Sequence, residues 1–107
     1  MAKAKVVTDA QDRFIGIRFD CPGCGYQMIP TDWIPDGMER SPHYPHQWRF
    51  NGDLERPTLR NSILTRYGRK GASVCHSFVT DGRIQFLSDC THTLAGQTVD
   101  LPDIDDG

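Results

Sequence analysis

The apolar positions of the chain fall into short runs with a period of two, rather than the 3.6 of an amphipathic helix. Phe14, Ile15, Ile17 and Phe19 lie within residues 13–20. These aromatic and β-branched residues predict a strand, with Gly16 marking a bulge or a close backbone approach. The chain turns through Cys21-Pro22-Gly23-Cys24-Gly25 and resumes as Tyr26-Gln27-Met28-Ile29, so a second strand follows the turn. Residues 47–50 predict a short strand ended by Asn51-Gly52-Asp53, and residues 59–67 a longer one closed by Gly68 and Gly71. The strongest turn signal is Asp81-Gly82, between the alternating runs 73–80 and 83–88, which predicts a type I′ hairpin. Asp89 is a candidate N-cap for one helical turn over 90–95 closed by Gly96, and Val99 and Leu101 predict a last strand.

Between these runs the pattern lapses. Residues 1–12 mix Lys, Asp and Gln and read as a flexible N-terminal arm. Residues 30–46 carry Pro30, Pro35, Pro42 and Pro45, which break any regular element and leave a long loop. Residues 103–107 read as a frayed acidic tail, so the domain is expected over 13–102. Composition sharpens this picture. A chain of 107 residues is one domain with a thin core, and its 37% hydrophobic content and mean hydropathy of −0.51 suggest a staple beyond apolar burial. No apolar run is long enough to cross a membrane and no signal peptide is visible, so the host-cell cytoplasm is expected, where cysteines serve metals more often than disulfides.

The four cysteines give that staple a place. A two-residue turn at 81–82 pairs Thr80 with Arg83, Val79 with Ile84, Ser77 with Phe86 and Cys75 with Ser88. One face then carries Cys75, Ser77, Val79, Ile84 and Phe86, and Cys90 shares its parity. Diagonal neighbours lie ~7–8 Å apart across such a ladder, within reach of two thiolates at ~2.3 Å from one zinc ion. Cys21 and Cys24 approach the same ion from a tight turn stiffened by Pro22. The expectation is a closed, structural Zn²⁺ site of Cys21, Cys24, Cys75 and Cys90, with His92 as the alternative ligand, and the fold class is mostly β: a small zinc-ribbon-like antiparallel β domain with hairpins and at most a short helical turn. Free buried thiols and a redox dithiol compete with the metal. Four thiolates around Zn²⁺ leave a charge of about −2, and Arg18 is a candidate to balance it.

His76 points to the face opposite Cys75 and reads as a hydrogen-bonded histidine. Asp89 could support a ligand from outside the metal sphere. His43 and His46, separated by proline, make a poor second metal site. Charge is segregated: residues 40–70 sum to +5 and residues 71–107 to −5. Either the two segments neutralise each other or the basic one meets an anionic partner. Trp33, Tyr44 and Trp48 frame the proline-rich loop as core lids or a contact surface, and His76, Asp89, Trp48, Arg56 and Arg60 are the candidates for second-shell or partner contacts. No phosphate loop, nucleophile elbow or His-Glu-x-x-His is present.

Cys21-Pro-Gly-Cys-Gly25, Trp48-Arg-Phe-Asn-Gly-Asp53, Arg56-Pro-Thr58, Cys75-His-Ser-Phe-Val79, Asp81-Gly-Arg-Ile-Gln-Phe-Leu87, Asp89-Cys-Thr-His92 and Leu94-Ala-Gly-Gln-Thr-Val-Asp-Leu-Pro102 follow one another in this order. Together they resemble a family of small phage- and prophage-encoded proteins of no established function, some labelled ammonia monooxygenase, a membrane copper chemistry that does not suit this chain. The resemblance spans residues 19–102 and implies a β-rich zinc-binding domain. The functional expectation is a non-enzymatic binding module with a protein partner from host, defence system or phage. The alternatives are a small zinc-dependent hydrolase with an open metal position, its acid or base His76, Asp89 or His92, and a weak nucleic-acid binder acting through residues 49–70. No membrane partner is expected.

Overall fold

The period-two runs become strands, and their buried faces meet. The computed structural model describes residues 2–44 and 48–104. A first antiparallel sheet has the order β1-β2-β3, with β1 at Ala4–Thr8, β2 at Phe14–Cys21 and β3 at Gly25–Ile29. A second has the order β4-β5-β6-β7-β8, with β4 at Arg49–Phe50, β5 at Leu59–Tyr67, β6 at Ser73–Thr80, β7 at Arg83–Phe86 and β8 at Thr98–Asp100. The mostly β expectation therefore holds, and among the described residues the one helical element is a 3₁₀ turn at Arg69–Gly71. None of their helices is long and apolar enough to cross a membrane.

One cluster joins the sheets. Phe14, Ile17, Phe19 and Cys21 from β2 pack with Leu59, Ile63, Cys75, Val79, Ile84 and Phe86 from the larger sheet. Leu101, just past β8, closes the cluster and is 1% exposed. Gly16 is the close approach its position suggested, because a side chain there would collide with the Ile29 carbonyl.

The β6–β7 hairpin takes the expected register, Ser77 opposite Phe86, Val79 opposite Ile84 and Thr80 opposite Arg83. Asp81 and Gly82 have φ of 51° and 78°, the two positive angles of a type I′ turn. The register ends early, however. Cys75 does not pair with Ser88. The chain bends at residues 87–89, with the Cys90 N–H donating to the Leu87 carbonyl at 3.2 Å, and rejoins β6 where the Thr91 N–H donates to the Val74 carbonyl at 3.0 Å.

The termini and the 90–96 segment depart from expectation. Residues 4–8 of the supposed arm are β1, paired with β2 from Ala4 opposite Phe19 to Thr8 opposite Phe14. Ala4 is fully buried there, between two lysines in a short alternating run. Near the other end, Ile104 is buried and its N–H donates to the Ala2 carbonyl at 2.8 Å. Residues 105–107 of the expected acidic tail lie outside the described residues. Residues 90–95 form successive tight turns, with bonds such as Gln97 N–H to the Leu94 carbonyl at 2.9 Å, in place of a helical turn. The proposed cap explains why: the Asp89 carboxylate is engaged by a histidine side chain.

The proline-rich loop is tied down by backbone bonds. Phe14 donates to the Glu39 carbonyl at 2.7 Å and Ser41 to that of Phe14 at 2.8 Å. The Arg40 guanidinium reaches back to the Thr31 and Asp32 carbonyls at 2.6 and 2.7 Å. Trp33 is a core lid, edge-on to Phe14 and Phe50 at centroid distances of 5.7 and 5.0 Å.

Candidate metal centre and the histidine–aspartate pair beside it

Three cysteines converge where the two sheets meet. Cys21 ends β2 and Cys24 sits in the following turn. Gly25, with φ of 107°, takes a backbone angle no side chain favours and lets β3 begin at once. Cys75 comes from the middle of β6 on its buried face. The sulfur atoms of Cys21, Cys24 and Cys75 lie within 4.8 Å of one another, and the Cys21 and Cys75 sulfurs are 3.7 Å apart. Four ligands at ~2.3 Å around a tetrahedral ion are separated by about 3.8 Å, so this spacing already suits a metal. A second group, again within 4.8 Å, joins Cys75 to the Cys90 sulfur and the His92 ring. All five residues are close enough to hold a metal ion between them, and the 87–89 bend is what delivers Cys90 and His92.

Burial shapes the chemistry of these thiols. Burial, with the neighbouring Cys24 and Cys21 adding to it, pushes the Cys75 thiol up. Burial also raises Cys24, against a lowering hydrogen bond from Cys75. Without an ion Cys75 and Cys24 therefore favour the neutral thiol, and metal binding there must expel their protons. Donors are already in place for thiolates. The Gln27 side-chain amide lies 3.1 Å from the Cys24 sulfur, and the His76 backbone N–H lies 3.2 Å from that of Cys90. Arg18, the cation expected to balance the charge, is not among them. Alternation turns it to the other face of β2, where it stacks on Tyr26 at 4.7 Å and pairs with Asp20 at 3.5 Å.

His92 packs edge-on against Phe86 at a centroid distance of 4.6 Å. Its Nδ1 accepts the Leu94 N–H at 3.2 Å, while its Nε2 is buried without a hydrogen-bond partner. The ring fits beside the cysteine turn because residue 23 is glycine; a side chain there would collide with it.

Each of Cys75 and Cys90 has a neighbour in the chain that faces the other way. His76 and Asp89 meet on the outer face of the larger sheet, Nδ1 to Oδ2 at 3.0 Å, with side chains 23% and 55% exposed. Asp89 approaches from the β7 side of β6. On the β5 side, Leu64 lies directly opposite His76 and is 51% exposed; Phe78, 40% exposed, flanks the histidine on β6. β5 is bulged between Leu59 and Ile63, and Asn61 in the bulge has φ of 77°, in the left-handed region that asparagine tolerates better than most residues. Ser62 follows it. Ser62 is half-buried and precedes the buried Ile63, two residues along β5 from Leu64, and its carbonyl accepts the Trp48 indole N–H at 3.4 Å.

The other candidates are scattered. Trp48 is half-buried and serves that carbonyl. Arg56 pairs with Asp81 at 3.3 Å on an exposed turn. Arg60 is exposed and stands opposite Arg49 across β4 and β5. Among the described residues Arg56–Asp81 is the one ion pair between the basic middle and the acidic segment; Arg83–Asp100, at 3.1 Å, lies within the acidic segment itself. His43 is exposed, and His46 lies outside the described residues. Ser62 went unremarked in the sequence; its only signal was the polar pair Asn61-Ser62 interrupting an apolar strand.

A family model described as BubE, the bacterial ubiquitination-like system serine protease, matches residues 1–87, and the chain belongs to that family. No curated protein and no solved structure matches the chain. The match corrects the expectation of a non-enzymatic protein, since the family is named for a protease. Sequence motifs missed this because the pair that suits catalysis, His76 with Asp89, is assembled across a bend rather than in a local signature.

Proposed function

We propose that this BubE-family chain is a serine protease of a bacterial ubiquitination-like system. In this reading its reacting groups sit on the outer face of the larger sheet, and a zinc ion holds the inner face together. The observation that carries the reading is the His76–Asp89 pair, 3.0 Å from Nδ1 to Oδ2 and open to solvent. A carboxylate on Nδ1 keeps that nitrogen protonated and leaves Nε2 free to accept a proton. In this reading Asp89 engages the ring from the β7 side, Nε2 faces β5, and the nucleophile is Ser62, two residues along β5 from Leu64, which stands opposite His76. Diagonal neighbours stand ~7–8 Å apart at their α-carbons, a gap that an imidazole and a hydroxymethyl group leaning together can span. His76 takes the Ser62 hydroxyl proton as Oγ attacks the scissile carbonyl, then returns it to the leaving group, and water releases the acyl-serine by the same proton path. The bulge at residues 60–62 fits this role, because bulges re-aim side chains and are over-represented next to active sites.

The substrate class is a protein chain. Leu64 and Phe78 beside His76 offer an apolar floor for an extended segment, and a protein partner is in keeping with the family's name. Zinc suits the donor set of buried thiols and imidazole, and with its sphere closed by protein ligands it would stabilise rather than react.

A fluorophosphonate, which phosphonylates activated serines with loss of fluoride, tests the assignment. Purified, folded, zinc-loaded protein should be labelled stoichiometrically, with the adduct on Ser62 by peptide mapping. Ser62→Ala and His76→Ala should abolish labelling, and Ser88→Ala should leave it intact. An adduct elsewhere, or none on folded protein, would overturn the assignment.

A further inference from the structure

We infer that the ion is held by the four cysteines and that His92 is a hydrogen-bond donor to their sulfurs rather than a ligand. This rests on the metal reading above and deepens it. Two residues compete for the fourth position, since Cys90 and His92 both lie within 4.8 Å of the Cys75 sulfur. Both share the Cys75 sulfur, and the His92 ring also lies against Gly23 in the cysteine turn, so it is the hydrogen bonds that separate them.

The Leu94 N–H points at His92 Nδ1 from 3.2 Å, so Nδ1 must offer a lone pair. A neutral imidazole with Nδ1 accepting carries its proton on Nε2. That nitrogen has no lone pair for a metal. It has an N–H, buried and unpartnered, beside the cysteines. A histidine that binds through Nε2 instead donates its Nδ1–H to an oxygen, and the 92–94 turn presents an N–H where that oxygen would be needed.

Cys90 has the opposite arrangement. Its sulfur exchanges two hydrogen bonds with the His76 backbone, accepting the N–H at 3.2 Å and donating to the carbonyl at 3.2 Å. The first survives loss of the thiol proton and supports a thiolate. On binding, the sulfur turns from the carbonyl toward the ion next to Cys75, which both groups share. The charge then distributes sensibly. Four thiolates around Zn²⁺ carry about −2 in a buried place, which requires nearby donors. Gln27 donates toward Cys24, His76 N–H toward Cys90, and the orphaned His92 Nε2–H finds its acceptor in the Cys75 or Cys90 thiolate. Gly23 leaves room for the ring.

Cobalt(II) substitution reads the ligand set, because each thiolate adds to the sulfur-to-cobalt charge-transfer band. Wild-type protein should bind one ion with a tetrahedral four-thiolate spectrum. Cys90→Ser should lose about one quarter of the charge-transfer intensity, one thiolate of four. His92→Phe should keep the full band while binding ~10–100-fold more weakly, the usual consequence of losing an outer-sphere partner. His92→Gln, which can still donate, should recover part of that affinity. Should Cys90→Ser fail to fold, nitrogen-15 spectra of the histidine rings in the wild-type zinc protein decide the matter, with a protonated, unmetallated Nε2 expected for His92. A metallated Nε2, or a band that survives Cys90→Ser and shifts in His92→Phe, would make His92 the ligand. Wild-type protein that binds no cobalt or zinc would instead sink the metal reading itself.

Discussion

The two sides of one stretch of backbone do different work. At residues 75–76 and again at 89–90, adjacent side chains part company: Cys75 and Cys90 turn inward to the sulfur cluster, His76 and Asp89 outward to solvent. The inner pair is buried and tied to a second sheet through Cys21 and Cys24. The outer pair, 23% and 55% exposed, lies on the opposite face of the larger sheet. A strand turns successive side chains to opposite faces, so a single residue step separates the proposed metal site from the proposed catalytic pair. The coupling is also mechanical. The Cys90 sulfur accepts the backbone N–H of His76, so whatever fixes the cluster from behind also fixes the strand that presents the imidazole.

The sharpest way to break the comparison is at its inner side. Cys75 belongs to both groups of converging ligands, and Cys75→Ser should lose the metal and the native fold together. A structural zinc site supplies on the order of 10 kcal/mol in small peptides, comparable to the ~5–15 kcal/mol by which whole domains are stable. Loss of dispersed amide resonances in its NMR spectrum is the expected outcome; a folded, metal-free variant would show that the apolar core suffices. Stripping zinc from the wild type with a chelator should have the same consequence.

On the outer side the effect should be on reaction alone. Asp89→Asn should slow fluorophosphonate labelling by ~10²–10⁴-fold, because the imidazole tautomer is no longer fixed. Its zinc content and thermal midpoint should stay within error of wild type. A variant that loses zinc as well would place Asp89 in the inner site after all.

Gly23 probes the boundary between the cysteine turn and His92. Gly23→Ala forces the ring away and should weaken metal binding by ~10-fold, by competition against a chromogenic chelator, while leaving the His76–Asp89 pair untouched.

The smallest effect lies far from both sides. Burial tends to raise the Asp9 carboxyl, but hydrogen bonds led by the Arg13 backbone N–H outweigh it and hold the group at about 2, below its ordinary 3.8. A carboxylate depressed on folding adds stability that is fully present above pH about 4 and fades as pH falls toward 2. Asp9→Asn should therefore unfold at lower urea than wild type at neutral pH, with the gap closing over that window. A gap that stays constant with pH would mean that the turn depends on shape rather than charge.

Much of the fold was legible because its cues are local. Asp81-Gly82 set the hairpin register, Phe14 to Phe19 announced β2, and Cys-Pro-Gly-Cys-Gly announced a ligand-bearing turn. β1 was not, because the alternation of Lys3-Ala4-Lys5-Val6 is only four residues long and its buried member is a small alanine; the strand is held by its partner and by the Leu54 carbonyl, which takes the N–H groups of Lys3 and Ala4 at 2.9 and 3.1 Å. The parity that placed Cys90 on the face of Cys75 gave the right face by an incomplete route, since the regular ladder stops at Phe86.

The sequence by itself therefore determined the strands, the turn types and which side of each strand is buried, because those follow from the two-residue period and the backbone freedom of particular residues. Only the tertiary structure decided that Cys21 and Cys75, 54 residues apart, would bring their sulfurs to 3.7 Å, or that His76 would meet Asp89 on the opposite face. Those meetings depend on how two sheets stack and where one ladder breaks. Stacking and breaks are properties of the whole packed chain, and no local pattern encodes them.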